Sequence, residues 1–307
     1  MSANVETMMY ARETPWHGLG TKVSEAPTSA DALSLAGLDW VVLQEDVFDS
    51  QGTKIPDYRA NVRSSDGTVL GIVGDRYRVV QNIDAFQFTD DLLGGGVRYE
   101  TAGALKGGKR IWLLAKMPDR LIAGDTVEPY LCFTNAHDGS CGVKVCMTPV
   151  RVVCNNTLNL ALGTAKRVWS MRHTETIHER LTEAHDCLSL ANHYMNGLTE
   201  YADYAANKTM TGEKMDALLN ALFPTPQNAS DRERENVKKY QDEFMACYLA
   251  PDIRKFRGTA WGAINAASDF VSHRLPHRNT KTYAENNWGR IMDGHTLLDR
   301  AVAVCMK

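Results

Sequence analysis

Between Gly139 and Thr174 the chain carries Lys144, Arg151, Lys166, Arg167, Arg172 and His173 and not one aspartate or glutamate. The protein as a whole has a formal charge of −3, so this stretch is a local reversal of sign. Cations without neighbouring acids neutralise phosphates, and a local patch of them draws polyanions to one place. The net negative charge excludes a generically basic nucleic-acid coat. Arg151, Asn155 and Asn159 lie four apart, which places them in one row of a helix starting near Arg151. Asparagine is a weak helix former; contacts to phosphates, sugars or base edges would give these residues a purpose. A helix cap with ordinary buried hydrogen bonding is the plainer account.

Aromatic rings sit among the cations. Tyr77 lies between Arg76 and Arg78, Trp112 follows Arg110, and Trp169 follows Arg167. Cationic grooves with stacking rings hold single strands without reading their sequence, although strand aromatics are equally ordinary core residues. The run from Gly103 to Lys109 has the spacing of a phosphate loop, but Arg110 stands where a magnesium-binding hydroxyl belongs. Ile111-Trp112-Leu113-Leu114 then continues as strand, where a phosphate loop requires a helix N-terminus. The segment reads instead as a glycine-rich hairpin turn that projects Lys106, Lys109 and Arg110 as a positive tip.

Other chemistries find less support. His173, His178, His185 and His193 are separated by five, seven and eight residues, and no CxxC accompanies them, so no metal is expected. Cys154 has no local histidine partner for nucleophilic catalysis, and Asp90-Asp91 reads as solvated surface. No catalytic residue and no cofactor is assigned. A second positive stretch, His273 to Lys281, either extends the same groove or forms a charged loop.

The elements that must position these residues follow from periodicity. Thr28 with Asp31 is a capping box for a short helix ending at Gly37. Trp40–Phe48, Tyr58–Arg63 and Val69–Val73 read as strands, and Asn82 as the cap of a helix through Leu92. Two hairpins follow, Tyr99–Leu105 with Lys109–Met117 and Glu128–Thr134 with Gly142–Thr148. A helix is predicted from Val153 to Leu162 and a strand from Lys166 to His173. The segment around Thr14–Gly20 reads as irregular. Beyond Thr174, apolar residues from Ile177 to Ala205 recur at alternating spacings of four and three, the seam of a long helix packed on another. Ser230 with Glu233 caps a further helix ending before Pro251, and helices are predicted over Gly258–His273 and Leu297–Val304. The fold class is therefore α+β, with an antiparallel β-rich half over 1–173 and a helical half over 174–307. Pro224–Asn228 is expected to be a mobile loop.

Seven cysteines, an odd number without tight spacing, suit a reducing compartment. The N-terminal residues lack a signal-like apolar run, and no stretch approaches the about 20 apolar residues of a membrane span. Cytoplasmic residence is expected.

Four motifs carry a family resemblance: Thr14–Gly20, Gly74–Asn82, the Tyr99–Trp112 hairpin and Thr148–Thr157. Together, over about Met8 to Trp288, they resemble the phage/plasmid-like proteins catalogued as domain of unknown function 932. The hairpin running into a helix is also similar, more loosely, to the core of single-strand annealing proteins. Taken with the cations and aromatics above, the annealing-protein similarity implies a non-enzymatic protein of phage or plasmid DNA metabolism that binds single-stranded DNA as a homo-oligomer and promotes annealing. Arg76, Arg78, Lys106, Lys109, Arg110, Lys144, Arg151, Lys166 and Arg167 are the expected phosphate contacts. Tyr77, Trp112 and Trp169 are the expected stacking residues, and Asn155 and Asn159 would position the strand. The alternative is an interaction module that engages a host defence or replication complex through the long helix.

Overall fold

Both expected hairpins form, and they organise the N-terminal half. The computed structural model describes residues 5–11, 20–25, 28–87, 89–90, 96–151, 156–157, 168–174, 187–274 and 296–307. In chain order the first elements are β1 (Val5–Tyr10), β2 (Thr21–Lys22), α1 (Ser29–Leu35), β3 (Val42–Phe48), β4 (Lys54–Arg63), β5 (Val69–Gly74) and α2 (Asn82–Phe86). Strands β6 (Arg98–Leu105), β7 (Arg110–Lys116), β8 (Arg120–Ile122), β9 (Asp125–Ala136), β10 (Val143–Arg151), β11 (Asn156–Thr157) and β12 (Val168–Met171) come next. Helices α3 (Cys187–Asn207), α4 (Gly212–Leu222), α5 (Asp231–Tyr248), α6 (Ala260–Asp269) and α7 (Thr296–Cys305) complete an α+β protein.

The chain forms two units. The first comprises Met1–Pro118, Tyr130–Met147 and Val168–Ala191, the second Asp119–Pro129, Thr148–Arg167 and Asn192–Lys307. In the first, a sheet runs in the order β12-β10-β9-β7-β6-β1-β2, and β3-β4-β5 form a separate three-stranded antiparallel sheet. Ladders β1–β6, β6–β7, β7–β9 and β10–β12 are antiparallel, and the short β1–β2 pair is parallel. Strand β1 was not foreseen; Met8, Met9 and Tyr10 are all buried, so the alternation that marks a one-sided strand is missing. Trp112 lies over β6 at Gly103, where a Cβ would come 2.2 Å from the ring, so only glycine admits that packing. The capping box of α1 is complete: Thr28 Oγ1 accepts from the Asp31 amide and the Asp31 carboxylate accepts from the Thr28 amide.

In the second unit, β8 pairs with the start of β9, and β11 pairs antiparallel with the end of β10, Arg151 opposite Asn156. Of the helix expected from Val153 to Leu162, the described residues Asn156 and Thr157 are strand instead, and the rest lies outside the described residues. From Ala191 onward the seam of α3 is as the periodicity implied, with Ala191, Met195, Leu198, Ala202 and Ala205 buried, while Ile177, Leu181 and Ala184 lie outside the described residues. Helix α4 was missed although its signals are in the sequence: Thr211 accepts from the Lys214 amide, and Met215, Leu218 and Leu222 are buried. Helix α5 begins with the expected Ser230–Glu233 capping box. Helix α6 lies at the centre, every residue from Ala260 to Ser268 buried. Gly262 lets it approach the 3-10 turn Pro251–Phe256, since a Cβ there would meet the Phe256 carbonyl at 2.2 Å. Lys255 pairs with Asp125 and donates to the Gly124 carbonyl at 2.9 Å.

Candidate functional site

Register decides which expected site residues meet. Arg110 pairs with Ala136, so the β6–β7 turn and the β9–β10 turn lie side by side at one end of the large sheet. Val143 pairs with Met171, which brings the end of β12, and His173 beyond it, to the same place. The inner face of the small sheet closes this end. Gly71 is pressed so near the β9–β10 turn that a Cβ would lie 2.5 Å from Asp138 Cα, and a Cβ on Gly139 would touch Val73. The apparent phosphate loop is a hairpin turn, with Lys106, Gly107 and Gly108 at φ of 57°, 66° and 81°.

Across this end runs the extended segment between β5 and α2. Three side chains from the sheet fasten it. His173 Nδ1 lies 3.0 Å from the Arg78 carbonyl, Asn135 Nδ2 donates to the Val80 carbonyl at 3.0 Å, and His137 Nε2 lies 2.9 Å from Asn82 Oδ1. The Arg78 amide donates in return to the His173 carbonyl at 3.2 Å. Asn82, expected as a helix cap, is buried and ties His137 to the Leu38 carbonyl; Gln81 holds the N-cap position. The Gln81 amide group meanwhile bonds both ways with the Val42 main chain, as a strand neighbour would. Asn61 donates to the His137 carbonyl at 2.7 Å and accepts from Gln44.

The imidazoles are neutral. Burial pulls His137 from its ordinary value down to about 3 and His173 down to about 4. Their bonding agrees, because each has one ring nitrogen facing an acceptor while the other, His137 Nδ1 or His173 Nε2, is buried without a partner among the described residues. Tyr77 stacks on His173 with ring centroids 4.5 Å apart and donates its hydroxyl to the Ala136 carbonyl at 2.9 Å. Burial raises its phenol well above the usual value.

The cations gathered here are Arg76, Arg78, Lys106, Lys109 and Arg110. Arg76 is exposed, with no partner among the described residues. Arg78 donates to the Asp75 carbonyl at 2.7 Å, and Arg110 reaches Ser140 Oγ at 3.3 Å. The Lys109 carbonyl accepts from the His137 amide. Two stacking assignments need correction. Trp112 is 7% exposed and donates to Thr101, so it is a core residue. Tyr77 already has its ring against His173 and its hydroxyl on the main chain, so it anchors the segment. Lys144 pairs with Ser170 and Val145 with Trp169, so Lys144 and Trp169 project from opposite faces of the sheet and share no groove. Arg151 belongs to the second unit as a strand residue, which removes the helical row with Asn155 and Asn159. Asn155, Asn159, Lys166 and Arg167 lie outside the described residues, as do Cys154, His178, His185 and 275–295.

Asn61, Gln81, Asn135 and His137 were not singled out from sequence. A trace of them existed: Asn135 and His137 are two apart at a strand end, hence on one face, in a position where apolar residues are the norm. Among the described residues, no group of three or more His, Cys, Asp or Glu side chains is placed to hold a metal ion. No described helix is long and apolar enough to cross a membrane.

Fold and site define an α+β protein whose large antiparallel sheet presents a cationic turn end. Residues 69–290 match the family model described as domain of unknown function (DUF932), and the chain belongs to that family. The match takes in the 74–82 segment, His137 and His173, and leaves the Thr14–Gly20 motif and β3–β4 outside. No curated protein and no solved structure matches the chain.

Proposed function

We propose that the protein binds single-stranded nucleic acid, DNA foremost, across the turn end of the large sheet. In this reading it serves phage or plasmid DNA metabolism in the cytoplasm, without catalysis, as a homo-oligomer that brings strands together for annealing. One observation supports the reading: the cluster of Arg76 and Arg78 and the cluster of Lys106, Lys109 and Arg110 meet at the end of the sheet that holds the β9–β10 turn, beside the acids Asp75 and Asp138. Phosphates spaced along a strand meet cations spaced along such an edge. With five phosphates neutralised, the logarithm of the affinity falls with the logarithm of salt concentration at a slope of about −3.5. Anisotropy titrations of a labelled oligonucleotide at four salt concentrations test this, and binding that ignores salt, or none at low salt, refutes it. Duplex, single-stranded DNA and RNA probes of equal length fix the preferred strand.

A second reading, a module that grips a host protein, draws on the outer face of the small sheet. Cross-strand pairing puts Leu43, Val62 and Val69 in one row and Ala60 with Ile72 in the next. Leu43, Val69 and Ile72 are each about half exposed, which is unusual for neighbouring aliphatic residues on one sheet face. Ile72→Glu should abolish a protein contact and leave oligonucleotide binding unchanged.

A further inference from the structure

The segment between β5 and α2 carries Arg76 and Arg78, and its main chain joins no sheet, being tied to other elements through the Asp75 amide on the Asp57 carbonyl and the Arg78 amide on the His173 carbonyl. Between Gly74 and Asn82 it forms no ladder; side chains of Asn135, His137 and His173 fasten it, beside Tyr77 on the Ala136 carbonyl and Gln81 on the Val42 main chain. The tautomers of both histidines follow from their partners. A main-chain carbonyl only accepts, so His173 Nδ1 carries the hydrogen that faces Arg78. The Asn82 amide donates through Nδ2 to the Leu38 and Trp40 carbonyls, which fixes its oxygen toward His137, so His137 Nε2 carries the hydrogen there. Each ring is therefore a neutral donor whose remaining nitrogen is buried and faces no partner among the described residues. A proton added to either one would be a buried charge with no acceptor.

We propose that His137 and His173 form a proton-operated latch: neutral, they hold the arginine-bearing segment against the sheet, and protonated, they release it. The inference rests on the nucleic-acid reading for its purpose, since a released segment would carry Arg76 and Arg78 away from Lys109 and Arg110. Its mechanism is independent of that reading. The groups facing the rings oppose or favour the proton as follows. Asp138 favours it at His137, while His173 opposes it there, and burial opposes it at both. Trp40 packs edge-on to His137 at 5.5 Å and Tyr77 lies flat on His173, and neither offers an acceptor oxygen to the bare nitrogens. At His173 the Arg78 carbonyl that accepts its Nδ1 hydrogen favours the proton, against the larger opposing effect of burial.

Hydrogen exchange of the full-length chain, corrected for intrinsic rates, tests the latch without any ligand. An opened histidine titrates near 6.5, so opening should become about 10-fold more favourable between pH 7.5 and 5.5 for one ring and about 100-fold for both. Amides of residues 75–82 are expected to lose protection by that factor while those of the β6–β7 hairpin keep theirs. Unchanged protection over 75–82, or a loss shared equally by the hairpin, overturns the proposal. The double variant His137→Gln and His173→Asn keeps an N–H at each donor position and cannot gain a proton. It should retain protection at pH 7.5 and lose the pH dependence, whereas rings that merely fill space predict lost protection at every pH. Should that variant not fold, nitrogen-15 spectra of the wild-type imidazoles decide. Neutral rings bearing hydrogen on His137 Nε2 and His173 Nδ1 at pH 6.5 support the latch, and imidazolium or the opposite tautomers overturn it. Oligonucleotide affinity measured alongside separates the two proposals. The expected exchange pattern with no binding at any pH keeps the latch and removes the nucleic-acid reading; binding with flat exchange does the reverse.

Discussion

Two buried regions of this protein are built on opposite principles. Around His137, in the first unit, Asn61, Asn82, Asn135 and His137 are all buried, and each engages one particular acceptor far away in sequence. Around α6, in the second unit, burial is apolar. Phe270 meets Phe223 at 5.3 Å, Phe244 at 6.3 Å and Tyr240 at 6.5 Å, with alanines filling the helix surface between. Dispersion and dehydration in the second region are non-directional and tolerate many arrangements. Hydrogen bonds in the first stabilise little net, but each permits one geometry. The helical region stabilises its own unit through area removed from water, and the polar region holds one segment in one place.

That contrast makes ordered predictions. Phe270→Ala should cost the most, about 4 kcal/mol by denaturant unfolding, because three rings lose their common neighbour and the helix above them is too well packed to collapse. A cost below about 1 kcal/mol would mean that the helical region is not the source of its unit's stability, and the comparison breaks. Acidification comes second. Both buried histidines have folded-state values below their unfolded value, so below pH 6.5 the unfolded chain binds more protons than the folded one. Their stabilisation is complete above 6.5 and drains away as the pH falls toward about 4 and about 3. From pH 7.5 to 5.5 each loses about 1.4 kcal/mol, together close to about 3 kcal/mol, readable as a shifted urea midpoint. Asn82→Ala is third, at about 2 kcal/mol, since it strands the His137 N–H and two buried carbonyls at once.

The same contrast explains what could be seen in the sequence. Periodicity reported apolar burial well: the α3 seam, the Ser230 and Thr28 caps, both hairpins and the small sheet all follow from residue spacing. It failed where burial is two-sided, as at Met8–Tyr10, and at Arg151 and Asn156, which pair as strand where a helix was expected. Of the expected cations, Arg76, Arg78, Lys109 and Arg110 lie at one end of the large sheet, while Arg151, from the acid-free stretch, lies at the far end of β10. Local patterning misjudged the rings, since whether an aromatic is a platform or a filler depends on what lies across the strand, as Gly103 does for Trp112. It missed His137 and Asn135 altogether. Their partners are Asn82 and Val80, about fifty residues away in sequence, and no local pattern encodes such a bond.

Arg76→Ala is expected to have the smallest effect on stability and sharpens the comparison most. Its side chain is exposed and has no partner among the described residues, so the folding free energy should move by no more than about 0.5 kcal/mol. If the turn end meets phosphates, affinity for a single-stranded oligonucleotide should nonetheless fall whatever the base sequence, and the salt slope should flatten by about 0.7. The paired measurement tells position from stability. Asn82→Ala would weaken folding and binding together, because it loosens the segment that carries the arginine, whereas Arg76→Ala would touch binding alone. An Arg76→Ala protein that folds as before and binds with an unchanged slope would show that Arg76 meets no phosphate, leaving the polar region as a purely structural clasp.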